Sequence, residues 1–180
     1  VGLNTLKPLI EFGWDIIAVN RSSKRAIDEA NKIFKNNEIE SINFIEIDLS
    51  DLNSVRDGSK EIATRFGNVL KVLICNAAVY KPRLKRPERS SQGFENSMAV
   101  NHFGHFLLIN LLLESILNSD EKIILNGEIL KFIPRITILG TVTANYLELG
   151  GKIPIPAPAN LGNLSGFEHG FLSPISMANG

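Results

Sequence analysis

At 180 residues, 44% of them hydrophobic, the chain is the size of one domain and long enough to bury a real core. Its 19 lysines and arginines balance 19 aspartates and glutamates, which excludes a global field favouring nucleic acid or an anionic membrane. A single cysteine, Cys75, excludes an internal disulfide and fits a reducing compartment. No apolar run approaches the roughly 20 residues of a membrane span, and no signal-peptide pattern opens the sequence. The first residue is Val1, so the sequence reads as an internal piece of a longer protein.

Leu3, Leu6, Leu9 and Ile10 recur at helical spacing, predicting a helix over 2–11 that Pro8 bends or shortens and Gly13 ends. Residues 15–19 form the next strand, and the polar turn 20–25 enters a helix over about 25–34. Residues 42–47 are apolar enough for a buried strand, ending in Asp48-Leu49-Ser50-Asp51, where Ser50 is the expected N-cap of a helix carrying Val55, Ile62 and Phe66. Val72 to Cys75 is a short β-branched run that reads as a buried strand and stops at three small residues, Asn76-Ala77-Ala78. The Leu- and Phe-rich stretch that follows, through 113, reads as a mostly buried helix with Asn101, a poor helix former, in its middle. Residues 118–135 look polar and irregular, apart from an apolar piece at 129–133, and 136–139 is a further strand. From residue 150 Pro, Gly, Asn and Ser dominate, and Ile153-Pro154-Ile155-Pro156-Ala157-Pro158 excludes helix or central strand, leaving a long loop. Alternating helices and strands argue for an α/β, doubly wound parallel sheet.

In such sheets ligands bind at the carboxyl ends of the strands, so the small residues after Val72–Cys75 and the misplaced Asn101 suggest a nucleotide site. The turn after the strand at 15–19 carries Arg21, Lys24 and Arg25 and no carboxylate of its own. That pattern favours a 2′-phosphate over a free ribose hydroxyl; a solvated basic turn is the alternative. Asp48 either lines a nucleotide pocket or merely starts the next helix beside Ser50. Tyr80 faces substrate or is an ordinary core or rim tyrosine. Cys75, inside a strand, reads as buried filler rather than a nucleophile. His102 and His105 lack the acid or Cys companions of a metal site, so no metal is expected.

Cys75-Asn76-Ala77-Ala78 resembles the N-N-A-G motif of the short-chain dehydrogenases/reductases, and Asn101 falls where that superfamily keeps its active-site Asn. The strings CNAAVY, NHFGHFLLINLLLE, ILGTVTAN, LGGKIPIPAPANLGNLSGF and PISMANG are similar to the light-dependent protochlorophyllide oxidoreductases of the cyanobacterial type. The resemblance covers nearly the whole chain. It implies a single Rossmann-like NADP-binding domain of which 1–180 is a part, with the first strand and the C-terminal portion lacking and 150–180 a family-specific loop. Gly2 then closes the glycine-rich pyrophosphate turn. Arg21 and Arg25 match the phosphate-binding cations, Lys24 less clearly so. Asp48 and Leu49 line the adenine pocket, Asn76 pins its strand, and Ala77 and Ala78 admit the ribose.

Among the catalytic groups it implies, Asn101 holds a water in a proton relay and Thr141 supplies the hydroxyl of the family's catalytic Ser. Tyr80, Phe167 and Phe171 are candidate pigment contacts, with Phe167 and Phe171 in the loop wall. The family's Tyr-x-x-x-Lys motif has no match, since Tyr80 and Tyr146 are followed four residues later by Leu84 and Gly150; the resemblance places it just beyond PISMANG. The implied activity is light-driven reduction of protochlorophyllide to chlorophyllide with NADPH. A carbonyl-reducing member acting on retinoids, or a non-catalytic NADP-binding module, are the alternatives. No nucleic-acid partner is expected; peripheral membrane association and a homo-oligomer stay open. The implied location is the cytoplasm or the periphery of photosynthetic membranes.

Overall fold

Period-two alternation sends the side chains of two paired strands into two different cores. The computed structural model describes residues 2–140 apart from 82, 83, 85, 120, 121 and 126. Strand β1 (Ile16–Asn20) lies parallel to β2 (Ile42–Glu46), in register from Ile16↔Ile42 to Asn20↔Glu46. Ile16, Ala18, Ile42 and Phe44 face one way, towards Leu6, Leu9 and Ile10 of α1 (Gly2–Glu11) and Ala30 at the end of α2 (Ser23–Ala30). Ile17, Val19, Ile45 and the adjoining Ile47 face the other way, towards Val55 and Ile62 of a later helix and Leu108, Leu112 and Ile116 of another. Helices thus cover both faces, as a doubly wound fold requires.

The α1 helix runs through Pro8 to Glu11, and Gly13, at φ 81°, closes it. The second helix is shorter than its sequence pattern: α2 stops at Ala30 and a single turn, α3 (Asn36–Ile39), follows, while Phe34 between them is still buried. Helix α4 (Leu52–Phe66) is capped by Asp51, whose carboxylate accepts from the Asn53 N–H at 2.9 Å. Ser50, the expected cap, instead donates its N–H and hydroxyl to Asp48 Oδ1 at 2.8 and 2.6 Å. The correction has a local cause: Asp48 captures Ser50 first, and the next residue in line takes the helix end.

Asp51 also accepts from Gln92 Nε2 at 2.9 Å. That bond first, then the Asn53 N–H, holds the Asp51 carboxyl below the ordinary aspartate range. A carboxyl depressed by folding adds stability above its unfolded pKa and loses it as the pH falls through the folded one. Asp51→Asn, which still caps α4, is therefore expected to flatten the acid limb of Tm against pH in the full-length protein. Parallel acid limbs in parent and variant would refute the assignment.

After α4, β3 (Val72–Cys75) pairs in parallel with the last described strand, from Val72↔Arg135 to Cys75↔Ile138. Between them in sequence come α5 (Asn96–Met98), a π-helical turn over Ala99–Gly104, and α6 (His105–Leu117), which run on as one 22-residue helix. By length and composition alone that helix could cross a membrane, although Asn101, His102, His105, Asn110 and Glu114 interrupt its apolar residues. The stripe Leu108, Leu112 and Ile116 is buried against the α4 core, and Ala99, Val100 and His105 are buried nearer its start, but Phe106, Leu111, Leu113 and Leu117 are exposed. The expectation of a mostly buried helix fails because α4 and β3 cover one flank alone among the described residues.

Residues 118–135 are not irregular. They hold an antiparallel hairpin, β4 (Lys122–Leu125) against β5 (Glu128–Lys131), in register from Lys122↔Lys131 to Leu125↔Glu128. Gly127 at φ 84° serves its turn. Just beyond β5, Phe132 meets Trp14 edge-on, with centroids 5.3 Å apart at 64°. The final strand, β6 (Arg135–Ile138), completes the pair with β3. Among the described residues no hydrogen bonding joins the β1–β2 pair to the β3–β6 pair.

Candidate functional site

The carboxyl end of β3 is where separate parts of the chain converge. A Cβ placed on Gly2, the first residue of α1, would stand 3.3 Å from Asn76 Nδ2, so the start of α1 and the end of β3 abut closely. Ala77 and Ala78, just past Asn76, are exposed, leaving an open floor of small side chains. Asn101 grips the next residue at both of its main-chain groups: Val79 N–H donates to Asn101 Oδ1 at 2.7 Å, and Asn101 Nδ2 donates to Val79 O at 2.9 Å. Asn101 sits inside the π turn, where the main-chain ladder is loosened by one residue. Its reluctance to serve a regular helix is thereby matched by the local structure.

The same helix also reaches the segment after β2. A Cβ on Gly104 would fall 2.3 Å from the Leu49 carbonyl oxygen and 2.9 Å from Leu49 Cβ. Only glycine lets the two backbones come this close. Asp48, beside Leu49, spends its carboxylate on Ser50, and its own N–H donates to Ser54 Oγ at 2.9 Å. It therefore helps build the turn into α4, while Leu49 lies directly against Gly104.

At the end of β1, Ser22 caps α2 through the Arg25 N–H at 3.5 Å, and Arg21, Lys24 and Arg25 are all exposed. None of the three appears in the ion pairs found among the described residues. A purely local reading of that turn finds no carboxylate, but the structure brings one from the neighbouring strand: Glu46 Oε2 accepts from the Ser23 N–H at 3.1 Å. The register Asn20↔Glu46 places it there.

Tyr80 is 68% exposed and lies outside this convergence of bonds. Cys75 is buried, and that burial pushes its thiol up from the ordinary cysteine range, so it is poorly suited to nucleophilic work. Thr141, Phe167, Phe171 and the 150–180 loop lie outside the described residues.

The family model of the short chain dehydrogenases matches residues 1–127. The chain belongs to the short-chain dehydrogenase family. Over its entire length it is 37% identical to the chloroplastic protochlorophyllide reductase of Chlamydomonas reinhardtii, and over 94% of its length 36% identical to protochlorophyllide reductase A of Arabidopsis thaliana. It spans 42% and 38% of those two relatives, about two-fifths of each. Among solved structures, a protein of Mycobacterium paratuberculosis titled as uncharacterized superposes with a TM-score of 0.66 at 22% identity, over 99% of this chain and 52% of that one. The NADPH-bound carbonyl reductase from chicken fatty liver gives 0.52 at 19%, over 65% of this chain and 47% of that one. At these identities the likeness is one of fold.

Short-chain dehydrogenases are oxidoreductases that use nicotinamide cofactors, and the residues fit such a group. The close abutment of Gly2 on Asn76, the bare Ala77–Ala78 floor and the exposed cations after β1 lie on the strand ends where this fold takes its nucleotide. Sequence reasoning missed Glu46 and Gly104, and it weighed His105 only as a metal ligand. Gly104, the one glycine inside a Leu- and Phe-rich helix, was the readable signal of a close approach.

Proposed function

We propose that this chain forms the cofactor-binding portion of a light-dependent protochlorophyllide reductase that uses NADPH. The observation that carries this reading is the 37% identity to a protochlorophyllide reductase along the whole chain. The cofactor, when bound, supplies a hydride to the pigment, and light absorbed by the pigment provides the excitation.

The chain's own residues do the holding. Gly2 and Asn76 bring the α1 start and the β3 end together where a pyrophosphate and ribose would lie. Arg21 and Arg25, free of ion pairs among the described residues, take the 2′-phosphate. Leu49 lines the adenine side, with Asp48 shaping its turn. Asn101 fixes Val79 and, in this reading, also holds a water for proton delivery; Thr141 offers a hydroxyl to the same centre. Phe167, Phe171 and the surrounding loop would wall in a planar tetrapyrrole, with Tyr80 at the rim. Peripheral attachment to a photosynthetic membrane would accord with relatives named as chloroplastic.

The test uses the full-length protein with NADPH and protochlorophyllide. Pigment should convert to chlorophyllide under illumination and not in darkness. In the same protein, Arg21→Ala should weaken NADPH by about tenfold to a hundredfold and NADH far less, since a charge-assisted phosphate bond is worth roughly 1.5–3 kcal/mol. No photoconversion would sink the assignment, and equal weakening of both cofactors would make Arg21 a support of the fold.

A further inference from the structure

Asn101 is not alone in holding the chain after β3. His105, four residues further along the same helix, is 7% exposed, and its Nε2 lies 2.8 Å from the Ala77 carbonyl oxygen. A carbonyl can only accept, so Nε2 is the donor. The other ring nitrogen, Nδ1, is buried and has no partner. An apolar side chain of similar size would fill the space without stranding a buried polar atom, which is unfavourable. What histidine adds here is the one Nε2–H bond.

The spacing of the two side chains matches the segment they hold. Residues four apart on a helix stand one above the other, about 5–6 Å apart. Residues two apart on an extended chain are about 6.5–7 Å apart. Asn101 and His105 can therefore engage Val79 and Ala77 together, from one face of one helix. They leave Ala78, the residue between, outside both grips.

We infer that His105 is a positioning residue: with Asn101 it forms a two-point clamp that fixes Ala77–Val79 so that Ala78 presents its small side chain and main chain to the nicotinamide nucleotide. The identity of the nucleotide rests on the reading given above. The clamp acts on the part of the site common to NADH and NADPH, unlike the cations after β1. Loss of His105 should therefore weaken both cofactors alike.

Three variants in the full-length protein test this: His105→Leu, which fills the space without a donor; His105→Asn, whose amide stops short of Ala77; and His105→Gln, whose amide nitrogen reaches the place of Nε2. The first readout, independent of any cofactor, is amide hydrogen exchange at Val79, measured beside Tm. The second is the Kd of NADPH and of NADH, from nicotinamide fluorescence. In the Leu and Asn variants, Val79 exchange should quicken about tenfold and both Kd values should rise about tenfold, with the Gln variant within about threefold of the parent. These changes should appear without a matching fall in Tm. Unchanged Val79 exchange in both the Leu and Asn variants would overturn the clamp, as would a Gln variant as impaired as they are. If the parent bound neither cofactor, the nucleotide reading and this assignment of the clamp's purpose would both fall, while Val79 exchange would still decide whether His105 holds the segment.

Discussion

Expressed as these 180 residues alone, the chain is expected neither to bind NADPH tightly nor to melt as one cooperative unit. β1 pairs only with β2, and β3 only with β6, among the described residues. The inner edges of β1 and β3 thus carry main-chain groups with no ladder partner, although helices cover the sheet on both faces. Each buried, unpaired group costs on the order of 1–3 kcal/mol, and a handful of them is comparable with the whole stability of a domain, about 5–15 kcal/mol. Parallel sheets of this class run 3-2-1-4-5, with one strand between those that β1 and β3 represent. Fusing a strand and its glycine-rich turn ahead of Val1 should restore both cooperativity and NADPH binding. A cooperative melt of the unextended chain, with a clear rise in Tm on adding NADPH, would sink the expectation.

Gly104→Ala in the full-length protein is expected to lower stability by about 1–3 kcal/mol through overpacking, or several degrees in Tm. Two effects oppose each other here. Alanine favours a helix over glycine by about 1 kcal/mol, but the added Cβ would meet the Leu49 carbonyl oxygen at 2.3 Å. The obstacle is backbone, which cannot swing aside as the end of a side chain can, so the clash wins. Relief requires the helix to back away from Leu49, and that withdraws Asn101 and His105 from Val79 and Ala77. NADPH affinity should therefore fall along with Tm. Gly140→Ala is the control, because a Cβ there meets nothing within 4 Å. If Gly104→Ala melted with or above the parent, the close approach of helix and Leu49 would be disproved.

The parts of the fold visible in the sequence were those written as a repeating pattern. Ile16 to Val19 and Ile42 to Ile47 are apolar on both faces, which marked them as strands of a covered sheet, and both cores confirm it. The hairpin 122–131 was missed because its apolar runs are short and flanked by Lys and Glu. The readable clue was Asn126-Gly127 between them, a strong two-residue hairpin signal. At the site, Asn101 was legible as a poor helix former inside a helix, and Asn76-Ala77-Ala78 as a run of small residues at a strand end. Glu46 at the α2 start and the close approach of Gly104 to Leu49 were not. Each depends on which strand or helix comes to lie alongside, a relation that local spacing does not encode.

The π turn over Ala99–Gly104 gives this helix a place where a residue can be lost without disturbing its two ends. Each residue advances an α-helix by about 100°, and a π turn holds one residue more than an α turn in nearly the same rise. Deleting one residue from 99–104 would therefore regularise the ladder and leave the far end in nearly the same angular phase. Leu108, Leu112 and Ile116 would stay on the α4 core with the Asn96–Met98 end in place. What would go is the loosened turn from which Asn101 holds Val79. In a sequence comparison, a gap at this point would signal the same helix without that grip.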